Sequence, residues 1–86
     1  MTIVDKIKTL NGWSVQDEGL LTKTIQLTSY LDGVKLLNKI AEEADRQNHH
    51  PDMTLSYSTL TIELISHDAG EITDRDIALA QFIDTL

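Results

Sequence analysis

The chain has 86 residues, 41% of them hydrophobic, which suits one small domain spanning residues 1–86 around a single core. Fourteen acidic residues against seven basic ones give a formal net charge of −7. This charge opposes binding to nucleic acid and to anionic membranes, because both attract cationic side chains. The absence of cysteine excludes disulfides, thiolate metal sites and cysteine nucleophiles. We therefore expect no nucleic-acid or membrane partner, and a domain this small favours a homo-oligomer.

The first six residues carry charge where a secretory signal peptide would carry an apolar run. No stretch approaches the roughly 20 consecutive apolar residues that a membrane-spanning helix needs. We therefore expect a cytoplasmic protein.

Two local signals organise the first third of the chain. Thr2 and Asp5 have the spacing of a capping box, and apolar residues follow at helical intervals, which predicts a short first helix. Residues 13–15 and 21–27 then alternate apolar and polar side chains on either side of a turn at residues 17–19. This pattern predicts a β-hairpin.

The middle of the chain has the pattern of a long amphipathic helix. Ser29 and Asp32 have capping-box spacing, and an apolar face continues at helical intervals to about Asn48. The pattern passes through Gly33, which we interpret as a close-packing point in the first helical turn. Pro51 disfavours a helical backbone at the residue before it, so the helix should end ahead of this proline.

A second hairpin is predicted after the proline. Leu55 and Tyr57 alternate with polar residues, residues 58–59 are expected to turn the chain, and residues 60–65 alternate again. The alternation predicts two more strands.

Thr73 and Asp76 form a third capping-box pair, which predicts a closing helix over residues 73–84. The element order is then α-β-β-α-β-β-α. Hairpin-connected strands form antiparallel sheets, and an apolar sheet face needs helices to cover it. The sequence therefore predicts an α+β fold, a four-stranded antiparallel sheet with helices packed on one face.

The only proline of the chain follows two of its three histidines, at His49-His50-Pro51. Imidazole is the side chain whose ordinary pKa lies closest to neutrality, so this corner is a candidate for proton transfer or metal binding. A plain helix-end cap is an open alternative, because imidazolium interacts well with a helix C-terminus. A metal site is disfavoured, because adjacent histidines rarely point at one ion.

Four other side chains are candidates for the same site. Strand alternation places His67 away from the core, either as an ordinary loop residue or as a site residue. Asp45 lies one helical turn before His49 and can orient its imidazole. Asp76 has a purely structural interpretation as a helix cap, and Tyr57 has one as a sheet packing residue.

Together these residues form a pattern of fixed spacing. The order is Asp45, His49-His50-Pro51, Tyr57, His67 and Asp76, with three, five, nine and eight residues between them. The pattern resembles the active-site signature of the pterin-4a-carbinolamine dehydratase family. Trp13 and the stretches at residues 66–70 and 76–80 extend the resemblance over most of the chain.

The resemblance implies helices on one side of a four-stranded antiparallel sheet, and a homodimer or homotetramer. It implies that a pterin substrate, a 4a-hydroxytetrahydropterin, is dehydrated to the quinonoid dihydropterin during tetrahydropterin recycling. No metal or organic cofactor is expected.

Loss of water from the pterin needs an acid and a base with pKa values near ambient pH, and imidazoles meet that need. We hypothesise that His49 and His67 transfer the protons and that His50 positions the pterin. Asp45 is expected to set the tautomer or charge of His49. The remaining residues of the pattern are expected to bind substrate or support the site: Pro51, Tyr57 and Asp76.

Two positions depart from the pattern of many relatives. Asp45 stands where many have glutamate, and its shorter side chain reaches His49 less directly. Gly70-Glu71 stands where many have Gly-Gly, which places a charge near the mouth of the site. The alternative hypothesis is a non-catalytic pterin-binding or dimerisation module, or a role in molybdopterin-related metabolism.

Overall fold

The computed structural model describes residues 1–86 and has three helices and four strands in the predicted order. The helices are α1 (Ile3–Lys8), α2 (Tyr30–Gln47) and α3 (Asp74–Asp84), and the strands are β1 (Ser14–Val15), β2 (Leu21–Gln26), β3 (Asp52–Leu55) and β4 (Thr59–Leu64). None of the helices combines the length and the apolar character needed to cross a membrane.

The four strands form one antiparallel sheet in the order β1-β2-β4-β3. On the central strand β4, Leu60, Ile62 and Leu64 are completely buried, and each such side chain contributes roughly 1.5–3 kcal/mol when it leaves water. The same core takes in side chains from the second and third helices: Ile40, Ala44, Ile77, Leu79, Ala80 and Ile83. The α+β fold with helices on one face is therefore confirmed.

Side-chain caps start the helices at the predicted positions. Complete capping boxes form at the starts of α1 and α3. At α2 the box forms only in part. Ser29 Oγ accepts a hydrogen bond from the Asp32 N–H at 3.1 Å, but the Asp32 carboxylate accepts from the Thr28 hydroxyl instead of the Ser29 backbone.

The end of α2 sets the direction of the histidine corner. Asn48 adopts a left-handed conformation with φ of 52°, and the His49 N–H donates to the Ala44 carbonyl at 3.0 Å, which satisfies a helix-end acceptor. The helix therefore ends before Pro51, as predicted, and the chain continues into the edge strand β3. His49 and His50 have left the helix and contact different partners.

Gly33 lets the first turn of α2 lie close to the sheet. A Cβ atom at this position would lie 2.5 Å from Leu27 Cδ1 and 2.7 Å from Leu55 Cδ1. Such distances are too short for carbon atoms in van der Waals contact. The close-packing interpretation of this glycine is confirmed.

The C-terminal end of α3 is attached to β2 by a polar cluster. Asp84 Oδ1 accepts from Lys23 Nζ and from Trp13 Nε1, each at 2.8 Å, and Asp84 Oδ2 accepts from the Asn11 N–H at 2.9 Å. Burial alone would raise the pKa of Asp84, but these hydrogen bonds outweigh it and hold the pKa below its usual value. The cluster fixes the helix whose first turn carries Asp76.

The turn of the second hairpin differs from the prediction. The Ser56 N–H donates to the Thr59 carbonyl at 2.8 Å, so residues 57–58 form the loop and Thr59 already belongs to β4. Tyr57 is therefore a turn residue, 84% exposed, and does not alternate within β3. The error arose because Tyr57 is a common strand residue, and only the pairing with β4 excludes it from the strand.

Candidate active site

His49 is the most enclosed of the three histidines. Only 8% of the residue is exposed, and its Nε2 lies 2.5 Å from Oδ1 of Asp76 at the start of α3. Its Nδ1 has no hydrogen-bond partner in the protein. Because no fully buried side-chain nitrogen or oxygen is left without a partner, Nδ1 keeps some exposure to solvent.

Asp76 is completely buried, and its carboxylate contacts both the start of α3 and His49. As the third residue of α3, its Oδ2 accepts from the Thr73 N–H at 2.8 Å, which is half of the capping box. The same oxygen accepts from Ser66 Oγ at 2.8 Å, while Oδ1 faces His49. The helix-cap and site interpretations of Asp76 are therefore compatible.

We assign the ring proton of His49 to Nε2. The Asp76 carboxylate already accepts from the Thr73 N–H and from Ser66 Oγ, and a carboxylate acts only as an acceptor. His49 must donate through Nε2, so the lone pair that can take a proton is on Nδ1. The arrangement suits a general base whose imidazolium form is stabilised by a buried carboxylate.

His50 contacts a different carboxylate from that of His49. Its Nε2 is 3.1 Å from Asp45 Oδ1, and both side chains are largely exposed. The expected contact between Asp45 and His49 is absent, because Asn48 turns the chain out of the helix and brings His50, five residues away, to the carboxylate. Asp45 therefore orients His50, and Asp76 takes the expected role beside His49.

His50 and Asp45 line a cavity of about 390 Å³ between α2 and the edge strand β3. Ligand pockets usually measure roughly 300–1,000 Å³, so the cavity is large enough for a small ring system. Asn38 and Glu42 add polar groups to it, and Pro51 and Met53 belong to its apolar wall.

His67 is exposed in the turn that follows β4. The Ser66 N–H donates to the Glu71 carbonyl at 3.1 Å, and the Ser66 carbonyl accepts from the Gly70 N–H at 2.8 Å, so the loop is short and closed. Ser66 directly precedes His67 and contacts Asp76, which places the backbone of this loop at the corner that carries His49. Glu71 is exposed at the end of the loop.

An ion pair also ties this loop to α3. Arg75 Nη2 lies 2.7 Å from Asp68 Oδ1. The hydrogen bond from Arg75 lowers the pKa of Asp68, and the same bond raises the pKa of Arg75. Both side chains are exposed, so the pair orders the loop more than it stabilises the fold.

Tyr57 lies away from the histidine corner of its own chain. It lies in the turn at one end of β3, whereas Pro51 and the histidines lie at the other end. Tyr57 lies five positions after Asp52, and strands rise about 3.3 Å per residue, so the two ends are well apart. The expectation that Tyr57 supports the site of its own chain has no support from its position.

The sequence interpretation missed one buried residue of the site. Ser66 has no exposed surface and contacts Asp76. The alternation of the strand could have revealed Ser66, because Leu60, Ile62 and Leu64 occupy alternate core positions and Ser66 is the next in that series. A polar residue at a core position needs a hydrogen-bond partner, and here the partner is Asp76.

No group of three or more His, Asp or Glu side chains converges in an arrangement that could hold a metal ion. The polar groups of the corner instead form two separate pairs, His49 with Asp76 and His50 with Asp45.

The fold and the corner together define a small α+β protein with a histidine and carboxylate site suited to acid and base chemistry. The family model described as pterin 4 alpha carbinolamine dehydratase matches residues 2–86. The chain therefore belongs to the pterin-4a-carbinolamine dehydratase family, as the spacing of its histidines predicted.

Relatives from bacteria and archaea support this assignment. A protein of Mycolicibacterium vanbaalenii, provisionally named a pterin-4-alpha-carbinolamine dehydratase, is 39% identical over 75 residues, which is 87% of this chain and 80% of the relative. A protein of Sulfurisphaera tokodaii with the same provisional name is 38% identical over 84 residues, which is 98% of this chain and 89% of the relative.

Solved structures match the fold. A structure described as a transcriptional coactivator/pterin dehydratase from Brucella melitensis superimposes with a TM-score of 0.91 at 20% identity, covering 99% of this chain and 95% of its own. A pterin dehydratase-like protein, described as a RuBisCO assembly factor in the alpha-carboxysome, gives 0.73 at 19% identity, covering 87% of this chain and 88% of its own. At these identities the likeness establishes the fold alone.

Proposed function

We propose that the protein dehydrates a 4a-hydroxytetrahydropterin to the quinonoid dihydropterin, as a hydro-lyase in tetrahydropterin recycling. The observation that carries the proposal is the contact between His49 Nε2 and the buried Asp76 Oδ1, which leaves Nδ1 free to exchange a proton. Family membership supports the same reaction class.

The reaction needs two proton transfers on one ring system. The C4a–O bond breaks as the hydroxyl takes a proton and leaves as water, and a ring N–H gives up a proton as the C4a=N5 bond forms. His49 acts as the base through Nδ1, because Asp76 stabilises the imidazolium that results. His67, exposed on the loop next to Ser66, is the proposed acid.

The cavity beside His50 is the proposed position of the pterin. The pyrimidine edge of a pterin presents neighbouring N–H donors, and the Glu42 and Asp45 carboxylates in this cavity are acceptors. Pro51 and Met53 offer an apolar surface for the ring. His50, held by Asp45 at 3.1 Å, contributes to orientation more than to proton transfer.

We further propose that the protein works as a homodimer, which can pair into a tetramer. Several apolar side chains are at least half exposed, among them Leu31 and Val4, and a small domain gains stability when such surface is covered. Light scattering tests this, since a monomer at every concentration contradicts it.

The alternative is a non-catalytic role as a binding or assembly module. It is favoured by one observation, the likeness in fold to a protein described as a RuBisCO assembly factor. The site argues against it, because an assembly module has no need of a buried carboxylate aimed at an open imidazole.

A stopped-flow assay separates the two functions. Freshly generated 4a-hydroxytetrahydropterin loses water slowly in buffer, and the wild-type protein should accelerate this loss at catalytic concentration. If the rate in the presence of protein equals the buffer rate, the enzyme proposal is wrong and the module hypothesis gains support.

A further inference from the structure

Ser66 is a polar residue at a core position, and its hydroxyl reaches the carboxylate that holds His49. The side chain is completely buried, Oγ lies 2.8 Å from Asp76 Oδ2, and Oγ lies 2.7 Å from Thr73 Oγ1.

The direction of these hydrogen bonds follows from the number of protons available. The Ser66 hydroxyl has one proton, and a carboxylate can only accept, so Ser66 donates to Asp76. The Thr73 hydroxyl must then donate to Ser66. A single chain of donors therefore runs from Thr73 through Ser66 to Asp76, and His49 donates to the other carboxylate oxygen.

We infer that Ser66 is a positioning residue of the active site, which acts on His49 through Asp76 and never touches the substrate. Its hydroxyl fixes the orientation of the Asp76 carboxylate, so that the ring proton of His49 stays on Nε2 and Nδ1 stays available. The effect of Ser66 on the reaction rests on the proposed function. Its effect on the tautomer of His49 does not, because the tautomer is measurable without substrate.

The effect of losing the hydroxyl follows from the orientation of the buried carboxylate. Without Ser66, Oδ2 of Asp76 keeps only the Thr73 N–H as a donor, so the carboxylate is held by one hydrogen bond fewer. Oδ1 is then no longer held opposite Nε2 of His49, and the ring proton of neutral His49 distributes between Nε2 and Nδ1.

The charged groups on the neighbouring elements are unchanged by the substitutions in the test. Arg75, on the same helix, interacts electrostatically with Asp76 and pairs with Asp68 of the loop. On the α2 side, Asp45 pairs with His50. A change in His49 after substitution of Ser66 therefore reports the loss of the hydroxyl.

Nitrogen-15 NMR of the histidine rings tests the inference, because it distinguishes Nδ1–H from Nε2–H. The variants are Ser66→Ala, which removes the hydroxyl without adding volume, and Ser66→Thr, which restores it. Ser29→Ala is the matched control, since it removes a helix-cap hydroxyl at α2 that does not contact Asp76. All are measured as full-length protein at one neutral pH.

In the wild type and in Ser29→Ala, His49 should carry its proton on Nε2. In Ser66→Ala, a detectable fraction should carry it on Nδ1, and Ser66→Thr should return toward the wild type. A wild-type His49 protonated on Nδ1 overturns the inference whether or not any variant folds. A folded Ser66→Ala protein with an unchanged His49 ring overturns it too.

The turnover of the same proteins separates this inference from the proposed function. Ser66→Ala should lower kcat about tenfold with KM within about twofold, as for other residues that orient a reacting group. If no protein has dehydratase activity while the NMR result holds, the proposed function fails and the role of Ser66 stands.

Discussion

Asp76 Oδ1 lies 2.5 Å from His49 Nε2, although 27 positions separate the two residues in the chain. The same carboxylate completes the N-terminal cap of α3 through the Thr73 N–H. One side chain therefore fixes both the start of a helix and the orientation of an imidazole. Substitutions at Asp76 should affect activity more than stability, provided the cap survives.

Asp76→Asn is expected to keep the cap and disable the base. The amide oxygen can still accept from Thr73, but the amide nitrogen then faces His49 and forces its proton onto Nδ1. We expect kcat to fall by about 100-fold or more, as when an orienting aspartate is lost beside a catalytic histidine. Stopped-flow kinetics measures the change in kcat.

Asp74→Asn is the control for that substitution, because Asp74 lies in the same first turn but is exposed and pairs only with Lys6. It should leave kcat within about twofold of the wild type, since exposed ion pairs contribute little. Equal losses in the two variants would show that Asp76 acts on the helix and not on His49.

Asp45→Asn is expected to weaken substrate binding and leave the chemical step nearly intact. Asp45 contacts His50 at the cavity and does not contact His49. Loss of a charged hydrogen bond should raise KM by about 3- to 10-fold with kcat within about twofold. Exposed Asp17→Asn serves as the control. A fall in kcat as large as that of Asp76→Asn contradicts the division of roles.

The stability contributed by Asp84 should depend on pH. Its folded pKa lies below the usual value of 3.8, so its contribution is complete above that value and is lost as pH falls through the lower folded value. Asp84→Asn should lower the free energy of unfolding by about 1–2 kcal/mol at neutral pH, because hydrogen bonds to a charged group are lost.

Urea unfolding followed by the fluorescence of Trp13, the single tryptophan, measures this difference at several pH values. The gap between wild type and Asp84→Asn should narrow as the pH falls below 3.8. A gap that stays constant to low pH would mean that packing, and not the charge, accounts for the loss.

Dialysis against a chelator should leave the dehydration rate unchanged, because the histidines pair with separate carboxylates and do not converge as ligands. Activity is compared before dialysis, after it, and after zinc or magnesium is restored. A loss that a metal reverses would support a metal site at the histidine corner.

The elements of the fold could be predicted because their signals are local. The Thr2–Asp5 and Thr73–Asp76 boxes mark helix starts within three residues, and the alternation at Leu60, Ile62 and Leu64 identifies a core strand without knowledge of its neighbours. The turn predicted at residues 58–59 lies at residues 57–58 in the structure, since only the hydrogen bond between Ser56 and Thr59 defines it.

The partners inside the site could not be predicted in the same way. The spacing of Asp45 and His49 suggests one helical face, but this holds only if the helix continues, and Asn48 ends it with a left-handed conformation. The actual partner of His49 lies on another helix. Such a contact depends on tertiary packing, which no local pattern encodes.

The central claim is that His49 exchanges a proton with a 4a-hydroxytetrahydropterin. Its most direct test is stopped-flow dehydration of the freshly generated substrate by the wild type, His49→Ala and His67→Ala, with circular dichroism to verify that each is folded. We predict clear acceleration by the wild type and a loss of about 100-fold or more in each variant. A folded His49→Ala protein as fast as the wild type would contradict the account.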